Sequence, residues 1–236
     1  TLPVKISPDD IRGRLDLRKR PVFTMDTGGA RDFDDAVDIE RISDGFRIGV
    51  HISDVSHFVA PGSEMDKEAF ERGTSVYFPD RTLPMFPEKL STGIASLLSG
   101  EDRLTVSVFL TLDERGEIVK REFFHSVIRS RLHLSYSNAA RILRGENREA
   151  RSISEDLKSS LFLMRDAARL LRTRRLEAGG LNFDLEEPAR FLSDGEDFTD
   201  PSEELEAGGI IEDFMIAANE SVASFLKSKG CPLIYR

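Results

Sequence analysis

Cysteine is almost missing from this sequence, with Cys231 the only one. A single thiol excludes an internal disulfide framework and a cysteine-rich zinc site, and it fits a reducing cytoplasm. Long apolar runs are missing too. No stretch approaches the roughly 18 residues a helix needs to cross a bilayer. The first residues, TLPVKISPDD, have neither the cationic start nor the apolar core of a secretory signal. No membrane partner is expected, and a cytoplasmic location is. Positive charge is in deficit, since 33 Lys and Arg against 42 Asp and Glu leave a formal net charge of −9. That argues against a broad, non-specific nucleic-acid surface, because phosphate binding is carried by Lys and Arg. A narrow cationic channel stays open. Arginines do cluster, at Arg169, Arg172, Arg174 and Arg175 and at Arg129 and Arg131, but such clusters are usually solvated faces.

What is present describes a globular protein. Hydrophobic residues make up 39% and charged residues 32% of the chain, and 236 residues suffice for one large domain or two small ones with a substantial core. There is no internal repeat and no low-complexity tract. Residues 1–20 form a polar lead-in with a short helix. Pro21 to Met25 is a short extended segment that delivers Asp26 to its end. Ala36 to Glu40 and Phe46 to Val55 read as strands joined at Asp44-Gly45, a hairpin signal, with Ile48, Val50 and Ile52 on one face. Ser63 to Arg72 reads as a helix with Met65, Ala69 and Phe70 inward, stopped by Gly73. An irregular segment follows, and long irregular loops inside a compact domain are often functional.

Leu104 to Leu112 and Ile118 to Ile128 form a second hairpin, turned by Glu114, Arg115 and Gly116. From about Tyr136 the pattern becomes helical. Ser152 and Glu155 suggest a capping box, and Ile153, Leu157, Leu161, Met164, Ala168 and Leu171 follow at helical spacing. Leu181 to Asp184 reads as a short strand. A last helix, from about Glu203 or Gly209 to Lys229, carries Ile211, Phe214, Ala218, Val222 and Phe225 as its apolar stripe. The fold class is therefore α+β, with antiparallel β-hairpins in the first half packed against long helices in the second. The chain starts without Met and stops at PLIYR, just after what reads as the start of a strand, so a domain cut from a longer protein is expected.

Chemistry is concentrated in Met25 to Val37, MDTGGARDFDDAV, which places Asp26, Asp32, Asp34 and Asp35 within ten residues. Two carboxylates about 6 Å apart repel by roughly 3 kcal/mol at an effective dielectric of 20, and by under about 1 kcal/mol in water. In a cleft, such a set calls for a cation, and hard oxygen ligands suit Mg²⁺ or Mn²⁺. In open solvent, it is a polar turn. An EF-hand needs oxygens at alternate positions and a Glu at the twelfth, a pattern this loop does not supply. A phosphatase of the haloacid dehalogenase type needs its aspartate pair after an apolar parallel strand, whereas Thr27 to Arg31 is a Gly-rich loop. The arrangement D-x5-D-x-D-D fits a strand end holding one ligand while a loop brings three more. Gly28 and Gly29 let the backbone bend. His51, Asp54 and His57 invite a metal reading, because alternation along one strand would put both histidines on one face; core hydrogen bonding is the stronger expectation, and His125 and His133 carry less signal.

FTMDTGGARDFDDAVDI and IGVHISDVSHFVAPGSEMDKEAFERGTSVYFPDRTLPMFPEKLS resemble the signature blocks of the ribonuclease II/ribonuclease R (RNB) family of 3′-to-5′ exoribonucleases, and GGIIEDFMIAANESVA resembles a further block. The resemblance implies that residues 21–236 are part of an RNB catalytic domain. It also implies Mg²⁺-dependent, processive hydrolysis of single-stranded RNA to nucleoside 5′-monophosphates. Position by position, it makes Asp26, Asp32 and Asp35 metal ligands, with Mn²⁺ as an alternative ion, and Asp34 the catalytic carboxylate. Tyr77, Tyr136 and Phe183 match base-stacking positions, although by composition each is more often core. Glu212 matches an RNA contact near the 3′ end, although a solvated helix carboxylate is the plain reading. Ala95 and Arg31 depart from frequent Cys and Lys. An Arg-rich block that clamps the scissile phosphate is expected beyond Arg236. A non-catalytic RNA-binding or scaffold module of the same fold is the alternative function, a small-molecule phosphatase ranks third, and the sequence sets no oligomeric state.

Overall fold

The two hairpin turns decide the architecture. A computed structural model of the chain describes residues 3, 5–78, 81–146, 153–181 and 201–234, with the backbone alone for 201–204. Strand β3 (Asp35–Ile42) and strand β4 (Gly45–Ser53) pair antiparallel from Ile42 opposite Gly45 to Asp35 opposite Ile52. Gly45 is required here, because its φ is +146° and a Cβ would lie 2.0 Å from the Leu112 carbonyl oxygen. After β4 come two short helices, α2 (Val55–Phe58) and α3 (Glu64–Arg72). A small hairpin of β5 (Val76–Tyr77) and β6 (Thr82–Leu83) follows, then a π-helical turn at Lys89–Ile94. The second long hairpin is β7 (Asp102–Asp113) with β8 (Ile118–Arg129), and β7 lies antiparallel to β4.

Two parallel pairings add to the expected antiparallel sheet. The residue 1–20 stretch holds a helix, α1 (Pro8–Ile11), and an edge strand, β1 (Leu15–Asp16), that runs parallel to β8. The sheet order is β1-β8-β7-β4-β3. The segment before the acidic loop, β2 (Thr24–Asp26), is in a separate parallel ladder with β9 (His133–Ser135). It touches β3 through a single antiparallel bridge, in which Phe23 and Val37 exchange backbone hydrogen bonds of 3.1 and 2.9 Å. The acidic loop thus crosses from one sheet to another instead of turning within one. Successive residues serve the two edges of this segment: the Phe23 amide donates to the Val37 carbonyl and the Thr24 amide to the Leu132 carbonyl, each at 3.1 Å.

Alternation sorts the two faces of the sheet. Val37, Ile39, Ile48, Val50, Val108, Leu110 and Leu112 are buried against the helical layer. That layer is α4 (Tyr136–Leu143), α5 (Glu155–Glu177) and α6 (Pro201–Ser228). The α5 stripe is buried as read from spacing, and Ser154 is its N-cap; Ser152 lies outside the described residues, as do 182–184 of the expected strand. In α6, Ile211, Phe214 and Ala218 are buried, while Phe225 stacks on Phe123 of β8 with ring centroids 4.7 Å apart. The opposite sheet face carries a smaller cluster of Leu17, Val22, Phe33, Ala36, Leu97, Phe109 and Ile128.

Two expectations are overturned. In α3, capped by Ser63 and by left-handed Gly73, Ala69 is buried but Phe70 is 88% exposed. Five residues beyond Met65, Phe70 points about 140° away from the packed side. The Arg169–Arg175 cluster is not a solvated face. Arg172 and Arg175 both reach Asp213 of α6, which is 2% exposed on its side chain, at 3.0 Å each, while Arg169 pairs with Glu206 and Arg174 with Glu117. Because α5 and α6 pack side by side, these charges bind the helices together.

Candidate active site on the acidic loop

The loop is built from its ends inward. Strand β2 brings Asp26 to the loop, where its Oδ1 accepts a 2.6 Å bond from the Thr27 amide. Gly28 and Gly29 form the turn, but neither has a positive φ and a Cβ on Gly29 would meet open space. Gly29 therefore eases the turn without being sterically demanded there. Further along, Phe33 plugs into the smaller core and its ring lies 4.2 Å from that of His133. Burying a phenylalanine contributes about 1.5–3 kcal/mol, and it sets the alternation that leaves Asp32 and Asp34 on the outer side. Ser96, fully buried, clamps this segment: its hydroxyl donates to the Arg31 carbonyl at 2.8 Å and accepts from the Phe33 amide at 3.1 Å. The Ser53 amide donates to the Asp34 carbonyl at 2.9 Å, and Asp35 opens β3 opposite Ile52.

The loop has uncompensated negative charge. Among the described residues, no Lys, Arg or His forms an ion pair with Asp26, Asp32, Asp34 or Asp35. Burial, then the Asp26 and Asp34 charges, push the Asp35 carboxyl up to about 6, and its Oδ2 is buried with no hydrogen-bond partner. The Asp34 residue as a whole is exposed, yet its carboxyl is crowded: burial, then Asp32, then Asp26 raise its pKa. Tyr77, from the β5–β6 hairpin, is 67% exposed and donates its hydroxyl to Asp32 Oδ2 at 3.1 Å. Burial, and then the Asp32 charge, raise the Tyr77 pKa, so the hydroxyl stays protonated as a donor. An oxygen-only set with a buried, unpartnered carboxylate oxygen is what a hard divalent cation takes. Among the described residues, no three His, Cys, Asp or Glu side chains are grouped closely enough to hold a metal ion.

Residues 14–236 match the RNB domain. The chain belongs to the RNB family. The chain is 38% identical to ribonuclease R of Thermotoga maritima and 41% identical to that of Aquifex aeolicus, in each case over 100% of this chain, and over 33% and 34% of the relative. The chain thus spans about a third of the length of these curated relatives. Among solved structures, Mycoplasma genitalium RNase R in complex with ribose-methylated single-stranded RNA superposes with a TM-score of 0.88 at 26% identity, covering 98% of this chain and 36% of that one.

Within the RNB domain, the other singled-out residues separate. Tyr136 starts α4, one residue after the register partner of Asp26; it is half-buried and packs against the main core. Glu212 is exposed on α6, and it is the adjacent Asp213 that turns inward to the arginines. Phe183 lies outside the described residues. His51 and His57 do not share a face, since β4 ends at Ser53 and His57 lies on α2, where it bonds Asp10 at 2.9 Å. Asp54 pairs with Arg14 at 2.7 Å.

His51 instead has the core hydrogen bonding expected of it, in a buried network whose partners the sequence did not single out. Its Nδ1 meets Ser107 at 2.6 Å and its Nε2 meets Asp38 at 3.0 Å, with Arg20 forked onto the same Asp38 carboxylate at 2.6 and 2.8 Å. Gly49 makes room, as a Cβ there would lie 2.9 Å from His51 Nε2. Burial pushes the Asp38 carboxyl up, but the Arg20 and His51 hydrogen bonds outweigh it and hold it at about 2. Ser96 had no signal in the sequence at all. For Phe33, the one apolar residue between two aspartates was an available sign.

Proposed function

We propose that the protein is a 3′-to-5′ exoribonuclease that hydrolyses single-stranded RNA processively to nucleoside 5′-monophosphates with Mg²⁺, acting in the cytoplasm. The observation that carries this is the four-aspartate loop of an RNB domain, intact, uncompensated by any described cation, and flanked by an exposed tyrosine. Asp26, Asp32 and Asp35 would hold the ion. A bound divalent cation would supply charge neutralisation at the phosphoryl oxygens. Asp34, exposed and with a raised pKa, is suited to orient the attacking water and accept its proton. The Tyr77 ring offers a stacking platform, worth about 1–3 kcal/mol per base and tolerant of any sequence. Tyr136, Phe183 and Glu212 are proposed as further RNA contacts on family resemblance alone.

Digestion of 5′-labelled single-stranded RNA by the intact protein tests this proposal, with products resolved by gel and chromatography. A shortening ladder, release of nucleoside 5′-monophosphates, loss in EDTA and loss in Asp34→Asn are expected. A ladder that survives both EDTA and Asp34→Asn refutes it. For residues 1–236 by themselves, the lack of any described cation beside the aspartates favours a second reading, an RNA-binding module with little or no hydrolysis. Efficient turnover by this chain alone would exclude that.

A further inference from the structure

Clustered titratable groups outside the four aspartates lie in the cleft beside α1, in the buried Asp38–His51 network and on the rim of the acidic loop. The cleft measures about 490 Å³ and is lined by Arg12, Arg14, His57 and His125 with Asp9 and Asp10, but its arginines and histidines already have carboxylate partners. The Asp38–His51 network is sealed in the sheet. The rim carries more. Tyr77 meets the acidic loop in an unusual way: the residue is mostly in solvent, while the oxygen at its tip is bonded to one carboxylate oxygen of Asp32.

From this we infer that the Tyr77 hydroxyl is a positioning group for Asp32, separate from any role of the Tyr77 ring in stacking. The inference rests on the function proposed above, in which Asp32 holds the cation. Three observations support it. First, the Asp32 backbone is held on both sides by Ser96, through Arg31 and Phe33, which leaves the side-chain torsions as its main freedom. Second, among the described residues, the Tyr77 hydroxyl is the only hydrogen-bond donor to the Asp32 carboxylate. It occupies Oδ2 and leaves Oδ1 with its lone pairs for an ion. Third, the tyrosine is itself anchored. It lies on β5, where Phe78 donates its amide to the Arg81 carbonyl at 2.8 Å, the Ser75 hydroxyl accepts from the Met85 amide at 2.9 Å, and Arg72 of α3 reaches the Pro84 carbonyl at 2.9 Å.

Hydrogen bonds from outside a metal's ligand set orient the ligands, and their loss typically weakens metal affinity 10- to 100-fold. Tyr77 therefore ties the platform that would receive a base to a carboxylate that would hold the ion.

Substituting Tyr77→Phe separates the two roles, since it keeps the ring and deletes the hydroxyl. The test is a Mn²⁺ titration of the intact protein without RNA, followed by electron paramagnetic resonance, for wild type, Tyr77→Phe, Tyr77→Leu and Asp32→Asn, with thermal unfolding of each as a check on folding. Weakening of Mn²⁺ binding by about 10-fold in both Tyr77 variants is expected, with unfolding midpoints unchanged. RNA affinity measured in EDTA should fall for Tyr77→Leu and hold for Tyr77→Phe. Unchanged Mn²⁺ affinity in Tyr77→Phe beside weakened affinity in Asp32→Asn overturns the inference and spares the proposed function. Absence of Mn²⁺ binding in the wild type overturns both.

Discussion

Replacing Asp35 with asparagine should stabilise the metal-free protein while abolishing the proposed activity. In the folded chain the Asp35 carboxyl is pushed from 3.8 to about 6, by burial first and by Asp26 and Asp34 next. A shift of about two units corresponds to roughly 3 kcal/mol against the ionised form. Asparagine removes the charge at nearly constant shape but still leaves a polar atom where Oδ2 has no partner, which takes back about 1 kcal/mol. A net gain of about 2 kcal/mol remains, or roughly 4–8 °C for a domain of this size.

The sign follows from linkage. A carboxyl whose pKa is raised on folding favours the folded state fully below its unfolded value near 4, and this contribution is lost as pH rises through 6. The advantage of Asp35→Asn is therefore full above about pH 7, roughly a third as large at pH 5, and reversed to a deficit of up to about 1 kcal/mol below about pH 4. Urea unfolding of both proteins in EDTA between pH 5 and 8 measures it. An advantage that is absent at pH 7.5, or equal at pH 5 and 7.5, would refute the assignment of Asp35 as a charge held without compensation. In saturating Mg²⁺ the ordering should narrow or reverse, because the ion stabilises only the carboxylate form.

Three further outcomes are expected. Ser96→Ala, which deletes both the donor to the Arg31 carbonyl and the acceptor for the Phe33 amide, should cost about 1–3 kcal/mol and slow RNA hydrolysis at unchanged RNA affinity; a normal rate at saturating RNA would show that the loop holds its shape without this clamp. Arg20→Ala leaves Asp38 buried and short of its fork, so denaturant unfolding at pH 7 should show a loss of about 3–5 kcal/mol. Because the Asp38 carboxyl is held at about 2, its contribution is present above the unfolded value near 4 and is lost as pH falls towards 2, so the deficit of the variant should shrink in acid; a pH-independent deficit would contradict the assignment. Arg175→Ala should loosen α5 from α6, with faster amide exchange in both helices and a loss of about 2 kcal/mol, given that Arg172 still reaches Asp213; exchange unchanged in α6 would argue that packing alone joins them.

Local patterning in the chain specified much of this protein. The turn glycines and polar residues at Asp44-Gly45 and Glu114–Gly116, the alternating strands between them and the helical stripe from Leu157 to Leu171 are short-range signals. Hydrophobic periodicity and turn chemistry suffice to decode them. The D-x5-D-x-D-D spacing and the blocks around it are enough to point to the RNB family. Tertiary structure alone decided the rest, because those features depend on which distant segments meet. That β2 pairs with β9, more than a hundred residues away, is a choice between hydrogen-bonding partners that no local pattern records. Whether Phe70 faces in or out depends on what lies beside α3. The same holds for charge: Arg172, Arg175 and Asp213 look like solvated helix residues until α5 and α6 are set side by side. Four aspartates can be counted in the sequence, but the buried Oδ2 of Asp35, the Ser96 clamp and the hydroxyl of Tyr77 on Asp32 arise only where separate elements converge, since desolvation and hydrogen bonding are properties of the assembled site.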